Sequence, residues 1–516
     1  MSGHLLPAMV AAPALAAVVL LVVPAKARSA IRWISLAGAS GGLVCAVAAA
    51  LSWKPEVGGF QLAERLPLVP SLGISFSLAA DGWSITLVLL TGIIIVTGVL
   101  ASWTVERRDK EFFLLLLTLV TGVFGVFVSQ DLFVFFLFYE IAVLPMYLLI
   151  GIWGTSHRVP AAGPFRGAWR RFQVGAREYA AMKLTLMLLV GSAAILVAIF
   201  ALWSASGARS FELSSLQASV FPRSLQMWVF PLLWLGFGTL AGVFPFHTWS
   251  PDGHASAPTA VSMLHAGVLM KLGAFGVMRV GMVLAPEAAS AWAPLVGAVA
   301  VVNVLYGALC AAAQDDLKYI VAYSSVSHMG VVMVGAATLN PLGWNGAVFQ
   351  MFAHGIMTGL FFALVGLVYE RAHTRELARM GGFAQRMPAV AACFTLAALS
   401  SLGLPGTAGF IAEFLVFLGA ATGRSPWWVV PAVLGAFVTA VYVLRAAKVI
   451  FWGPAPGGEM AHHLSDPRRT EWAAPVVLGA ALVVFGFWPR LLLDLIDVTT
   501  TGFLGRLGML AQVLPR

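Results

Sequence analysis

The 516-residue sequence predicts an all-α polytopic membrane protein of about fourteen transmembrane helices. Three observations lead there. Hydrophobic residues make up 60% of the chain and charged residues 10%, with mean hydropathy +0.90, a balance that soluble domains of this length do not hold. Apolar runs of about 20 residues, enough to cross a bilayer as helix, recur from end to end. Only short loops separate them, and the longest, near 53–79, 154–177 and 451–470, cannot hold an inserted soluble domain.

Taken in order, the spans fall near 5–24, 30–52, 80–103, 111–129, 131–153, 178–203, 226–245, 256–284, 291–312, 317–337, 342–369, 388–421, 427–450 and 471–493. The first lacks a basic leader and a small-residue cleavage site, so it reads as a retained helix rather than a signal peptide. The twelfth is too long for one straight crossing and contains SSLGLPGTAGF, where Pro405 and clustered glycines break it. The seventh and eighth are joined by PFHTWSPDGHASAP, too rich in Pro and Gly for continuous helix. Non-helical backbone at membrane depth survives only inside protein or beside a wet cavity. Broken helices in two separated regions therefore point to a transport path.

Of the 31 Lys and Arg residues, twenty lie in one set of loops, among them Lys26, Arg28, Arg107, Arg158, Arg166, Arg170, Arg171, Lys318 and Arg375. Nine lie on the other side, including Arg65, Arg209, Arg279, Arg424, Arg506 and Arg516, and Lys183 and Lys271 fall within spans. The richer side is expected to be cytoplasmic, with both termini outside. The net charge of +9 is this orientation signal and does not suggest nucleic acid. Cys45, Cys310 and Cys393 are isolated, with no CxxC pair or Cys/His metal spacing, so no metal or iron–sulfur site is expected. Neither a Walker A loop nor a dinucleotide fingerprint is present.

Glu140 is the only carboxylate in LFVFFLFYEIAVLPMYLLIGIW, and no base accompanies it. A charge at a bilayer centre costs about 2.5–3.5 kcal/mol on insertion scales, so it needs a partner, a water path or an ion. About 13 Å of helix separates Glu140 from Asp131 at the span entrance, which rules out easy snorkelling. Lys271, in MLHAGVLMKLGAFGVMRV, is a buried base suited to trading a proton. Glu413 follows the LPGTAGF break and suits exchange with a wet cavity. His328 in YSSVSHMG and His354 in QMFAHGIM sit on neighbouring spans, where imidazoles can relay a proton through either ring nitrogen. Lys183 lies six residues after Arg177 and either snorkels or serves the path. His247, Asp252 and His254 flank the helix break as a path mouth or as helix caps. A static ion pair that fixes packing is the plainer alternative for Glu140 and Lys271, and a charge that reaches a nearby interface is the plainer alternative for Glu413. Acids, bases and histidines spread over at least six spans fit a water-bridged proton relay better than one compact solute site.

The strings LFVFFLFYEIAVLPMYLLIGIWG, FPFHTWSPDGHASAPTA, GVLMKLGAFGVMR, DDLKYIVAYSSVSHMG, QMFAHGIMTGLFF and SLGLPGTAGFIAEF occur in an order that resembles the proton-pumping NADH:quinone oxidoreductase (complex I) family, in its antiporter-like membrane subunits of the chain M type. The resemblance covers essentially the whole chain, most clearly 80–455. It implies two inverted five-helix repeats, 111–284 and 285–452, with broken helices seven and twelve. Three N-terminal helices (1–110) precede them, and a loop, last helix and tail (453–516) follow. It also implies a proton-translocating subunit of a multi-pass complex in a bacterial inner membrane, flanked by other antiporter-like chains. This chain would carry no redox site, and quinone, FMN and iron–sulfur clusters would belong to partner subunits. By the match Glu140, Lys183, Lys271 and Glu413 correspond to family acids and lysines of helices five, six, eight and twelve. His328 and His354 correspond to histidines on the hydrophilic axis.

One departure stands out. The family places a lysine seven residues before the motif histidine, and here, with His247 as that histidine, the position is Leu240. The expected partner of Glu140 is missing. His265 is one candidate replacement base, although about 9 Å of rise and about 120° of rotation separate it from Lys271 on a regular helix. Otherwise Glu140 is neutral at rest, and the subunit pumps in an altered way. Two other functions are compatible with the motifs: a D-type chain of a multi-subunit Na+/H+ antiporter, and a transport-impaired scaffold in a hydrogenase-type complex.

Overall fold

The computed structural model describes residues 4–156, 175–423, 425–454 and 464–513; Arg158, Arg166, Arg170, Arg171, Arg424 and Arg516 lie outside the described residues, as does the side chain of Arg506. Long helices run in sequence as α1 (Leu5–Val22), α2 (Arg28–Ser52), α3 (Gly82–Ala101), α4 (Asp109–Val128), α5 (Leu132–Trp153), α6 (Arg177–Ala205) and α7 (Arg223–Ala241). A short helix α8 (Trp249–Ser256) precedes α9 (Thr259–Met282), α10 (Pro286–Ala312), α11 (Leu317–Ala337) and α12 (Pro341–Ala372). Two half-length helices, α13 (Pro388–Ser401) and α14 (Ala408–Ala421), are followed by α15 (Val429–Trp452), α16 (Ala473–Phe487) and α17 (Arg490–Val513).

Among the described residues, twelve helices are long and apolar enough to cross a membrane, or up to thirteen when the bent pair α16–α17 counts as one span. The α13–α14 pair fills the place of the long twelfth run. It is broken at Leu402–Thr407, where Gly403 (φ 74°) and Gly406 (φ 91°) flank Pro405.

Burial grades from rim to centre. The apolar window of α9 is 100% buried and those of α11 and α12 are 94% buried, against 33% for α2 and 39% for α1. With no hydrophobic drive between helices in lipid, close approach of backbones decides what sits inside. At the centre, glycines permit that approach: a Cβ on Gly355 of α12 would lie 2.6 Å from the Gly267 carbonyl oxygen of α9, and one on Gly330 of α11 would lie 2.7 Å from Val304 N.

Four details depart from the sequence reading. The 53–79 loop contains an antiparallel hairpin, β1 (Gln61–Val69) and β2 (Ile74–Ala80), turned at Gly73 (φ 70°). Charges and Pro67 disguise β1, and the Ser75 N–H anchors the hairpin on Asp131 at 2.8 Å. The last span bends by 67° at its break and continues as α17 rather than ending near 493. The Pro/Gly-rich linker is not uniformly irregular: WSPDGHAS forms α8, and the chain breaks on either side of it. Finally, Arg279 and Lys318, assigned above to loops, are only 3% and 5% exposed. Arg279 pairs with Asp81 at 2.7 Å inside a ring of Phe60, Trp83, Phe275 and Phe503. Lys318 Nζ donates to the Ala257 carbonyl at 2.7 Å, holding the entry to α9. Both sit within a turn or two of a helix end, where sequence alone reads them as flanking charges.

Candidate functional site

Helix α7 stops because Gly242 takes the left-handed conformation (φ 74°) that closes a helix end. The released backbone is caught by neighbours: Asn303 accepts from Phe244 N at 2.8 Å and donates to the Val326 carbonyl at 2.8 Å. Trp249 Nε1 donates to the Thr239 carbonyl at 2.9 Å. These contacts seat α8 against α9. Gly253 makes the approach feasible, since a Cβ there would lie 3.2 Å from His265 Cε1.

Helix α9 is itself irregular, with π-helical turns at His265–Leu269 and Val277–Met282. Such turns release carbonyls from the helical ladder and recur at functional sites. Here the Ala266 carbonyl accepts from Lys271 Nζ. The same Nζ lies 2.6 Å from His354 Nδ1 on α12. Lys271 has no exposed surface and His354 has 1%. The His354 ring is 5.2 Å from that of His328 on α11. His328 Nδ1 lies 3.1 Å from Gln350 Nε2 and 3.3 Å from Glu413 Oε1 on α14, and its Nε2 is 3.2 Å from Ser401 Oγ at the end of α13. Lys271, His354, His328 and Glu413, from four different helices, therefore form a line of near contacts through the buried centre.

A second group lies on the α8 side of Lys271. His265 is sandwiched between Trp249, 5.1 Å away, and His254, 4.0 Å away by ring centres. His254 Nε2 is 3.5 Å from Met270 Sδ, the residue before Lys271. Both nitrogens of His265, Nδ1 of His254 and Nε2 of His354 have no hydrogen-bond partner among the described residues. Buried polar atoms of this kind are where internal water binds. At the outer end of α8, Lys183 Nζ is 2.7 Å from Asp252 Oδ2, and Tyr319 Oη donates to Asp252 Oδ1 at 3.0 Å. Lys183 and Asp252 side chains are 23% and 20% exposed, so this cluster reaches the surface of the chain.

Two predicted residues stand apart. His247 packs between Phe244 and Tyr306, and neither of its nitrogens has a partner. It makes no hydrogen bond to Asp252 or His254 among the described residues, but it lies close enough to the ammonium of Lys183, the partner of Asp252, for the two to interact electrostatically. Glu140 is half-buried on α5. Its carboxylate meets the Ser192 hydroxyl, and Oε1 has no partner. No ion pair among the described residues includes it. Leu240, 1% exposed, packs in the apolar core.

Gln350, Ser401, Tyr319 and Lys318 were not singled out from sequence. Each is a common polar residue whose role depends on contacts between distant helices. The one signal was local: polar residues in otherwise apolar runs, as in YSSVSHMG.

Comparison with known proteins adds identity to this geometry. Residues 167–439 match the family model described as NADH:quinone oxidoreductase/Mrp antiporter, transmembrane. A Synechococcus protein named NAD(P)H-quinone oxidoreductase chain 4 is 38% identical over 485 residues, 92% of this chain and 88% of that protein. A chain of respiratory complex I from Thermus thermophilus superimposes with TM-score 0.85 at 30% identity, covering 98% of this chain and 100% of that one. A chain of an Mrp complex from a Dietzia species has the same fold, with TM-score 0.83 at 21% identity over 97% of each. The chain belongs to the NADH:quinone oxidoreductase/Mrp antiporter transmembrane family.

Proposed function

We propose that this chain is a proton-translocating, antiporter-like subunit in the membrane arm of an NAD(P)H:quinone oxidoreductase. The observation that carries the reading is the buried line Lys271–His354–His328–Glu413, whose successive members are 2.6 Å apart, 5.2 Å between ring centres and 3.3 Å apart. A proton needs donors and acceptors in sequence at hydrogen-bond or one-water spacing, and imidazoles pass it between their two nitrogens. Lys271, fully buried, takes up and releases the proton in transit. His354 and His328 hand it laterally, and Glu413 passes it on beside the α13–α14 break. Gln350 and Ser401 hold the His328 ring.

Supply to Lys271 runs from the Lys183–Asp252–Tyr319 cluster past His254 and His265. The ring nitrogens without protein partners would bind bridging water there. His247 lies beside the Lys183 ammonium at the supply end, and Glu140 joins through water or through a neighbouring subunit, because no described contact ties it to the line. The inverted-repeat reading is supported by a paired detail. Asp131 caps α5 and bridges to Glu212, while Asp316 caps α11 and bridges to Glu376. In the proposed orientation both termini face outward across a bacterial inner membrane. Redox groups (FMN, iron–sulfur clusters, quinone) are held by partner subunits, and other antiporter-like chains flank this one.

The test is NADH-driven proton uptake by inside-out vesicles carrying Lys271→Met. Uptake per NADH should fall while the complex remains assembled. Wild-type stoichiometry in the variant would refute the relay. The Mrp-type alternative requires Na+-dependent exchange in the absence of NADH, and finding it would displace the present reading.

A further inference from the structure

Away from the buried line, a cavity of about 470 Å³ opens where α2, the end of α3, the start of α9, α12 and the start of α16 converge. Its volume lies in the range of about 300–1,000 Å³ typical of small-molecule sites. Its walls are apolar, with Trp33 and Trp103 meeting edge to face at 5.3 Å. Its rim is charged, carrying Glu370, Glu471 and Arg468. Trp33 is 60% exposed on α2, one of the least buried helices, so the cavity communicates with the bundle's outer surface. Indole rings beside a charged rim are characteristic of the membrane–water boundary.

The rim charges are not equivalent. Glu471 is engaged by Arg371 Nη2 at 2.6 Å and by the Arg468 N–H at 2.7 Å. Glu370 is held more loosely, with Arg371 Nη1 4.0 Å away and Thr104 Oγ1 3.5 Å away. Glu370 is thus the carboxylate with capacity left for a cation, and exposed Arg468 faces the same opening. An anionic headgroup would meet two carboxylates, and a purely cationic amphiphile would meet Arg468 and Arg371. A zwitterion satisfies both signs.

We propose that this cavity binds a zwitterionic phospholipid such as phosphatidylethanolamine, its ammonium on Glu370, its phosphate on Arg468 and the start of one acyl chain along the tryptophan wall. The volume admits a headgroup and the upper part of one chain, so the rest of the lipid stays in the bilayer. The site touches Thr259, the first residue of α9, and lies on the helix that carries His354. Bound lipid therefore braces the ends of the two helices that bring Lys271 and His354 together.

The experiment counts phospholipid retained by the purified complex after mild delipidation and readdition of phosphatidylethanolamine or phosphatidylglycerol. Wild type should retain phosphatidylethanolamine preferentially. Glu370→Gln should weaken that preference about tenfold, as expected for loss of one charge-assisted hydrogen bond. Leu36→Trp, which fills the cavity without altering rim charge, should exclude lipid whatever its headgroup. Equal retention of the two lipids by wild type, undiminished retention in both variants, or a partner-subunit side chain found in the cavity would each overturn the proposal. Lipid counting does not depend on proton pumping, so failure here leaves the relay reading untouched, and the converse holds.

Discussion

Lys271 and Glu140 are both charges set in apolar helices, and the fold surrounds them differently. Lys271 lies on a helix whose apolar window is 100% buried, with His354 and a released carbonyl as partners. Glu140 lies on α5, whose window is 50% buried. It sits beside an outward stripe of Leu137, Ile141, Leu144 and Leu148, exposed by 44%, 37%, 57% and 42%. One group finds its hydrogen-bond partners within the chain. The other is placed at a boundary, where lipid, water or a neighbouring chain completes its surroundings. The difference teaches that burial depth in sequence and burial in the fold are separate quantities. Both residues sit in mid-span, yet only one is enclosed.

The largest effect should follow from opening the enclosed site. His354→Ala leaves Lys271 with the Ala266 carbonyl alone. Loss of a hydrogen bond to a charged group is worth about 1.5–3 kcal/mol, so proton uptake through this chain should fall about 10- to 100-fold. Stopped-flow or dye-quench measurements on vesicles with matched complex content check this. An effect no larger than that of Glu140→Gln would erase the contrast between the two regions.

Next in size is the coupling of His328 to Glu413, which are 3.3 Å apart. Residues in direct contact show interaction energies of about 0.5–3 kcal/mol. A double-mutant cycle of His328→Ala and Glu413→Gln, read as pumping rate, should be strongly non-additive. Additive losses would mean that the two act on separate branches rather than in one line.

How much of this was legible in the sequence follows the same division. The spans, the two breaks and the charged or imidazole members of the line were readable, because each is a polar residue or a Pro/Gly cluster set in an apolar run. What joins them was not. The Lys271–His354 contact depends on a π-turn at His265–Leu269 that no composition signal marks. Gln350 and Ser401 gain their place only when α12 and α13 converge on His328. His247 shows the same limit: its motif suggested a mouth with Asp252 and His254, but not that its ring would pack against Phe244 and Tyr306 beside the lysine that binds Asp252.

Glu140→Gln should have an intermediate effect, about threefold on proton uptake, equivalent to well under 1 kcal/mol. Its carboxylate makes only a hydroxyl contact in this chain, so neutralising it removes no internal ion pair. A loss as deep as that of His354→Ala, with assembly intact, would show that a partner subunit or water gives Glu140 a full role in the relay.

The smallest effect on pumping is expected from Leu240→Lys, and its value lies in stability. Leu240 is 1% exposed in the last turn of α7, so a lysine there is buried and needs a carboxylate. If Glu140 can reach it, the new pair compensates the desolvation and thermal stability changes little. Adding Glu140→Gln to that background then strands the charge, a loss of about 3–5 kcal/mol when one partner of a buried pair is removed. Melting temperatures of wild type, both single variants and the double variant give the cycle. A double variant that is additive in the two singles means the Leu240 position and Glu140 do not meet. The half-buried face of α5 would then have to find its base outside this chain.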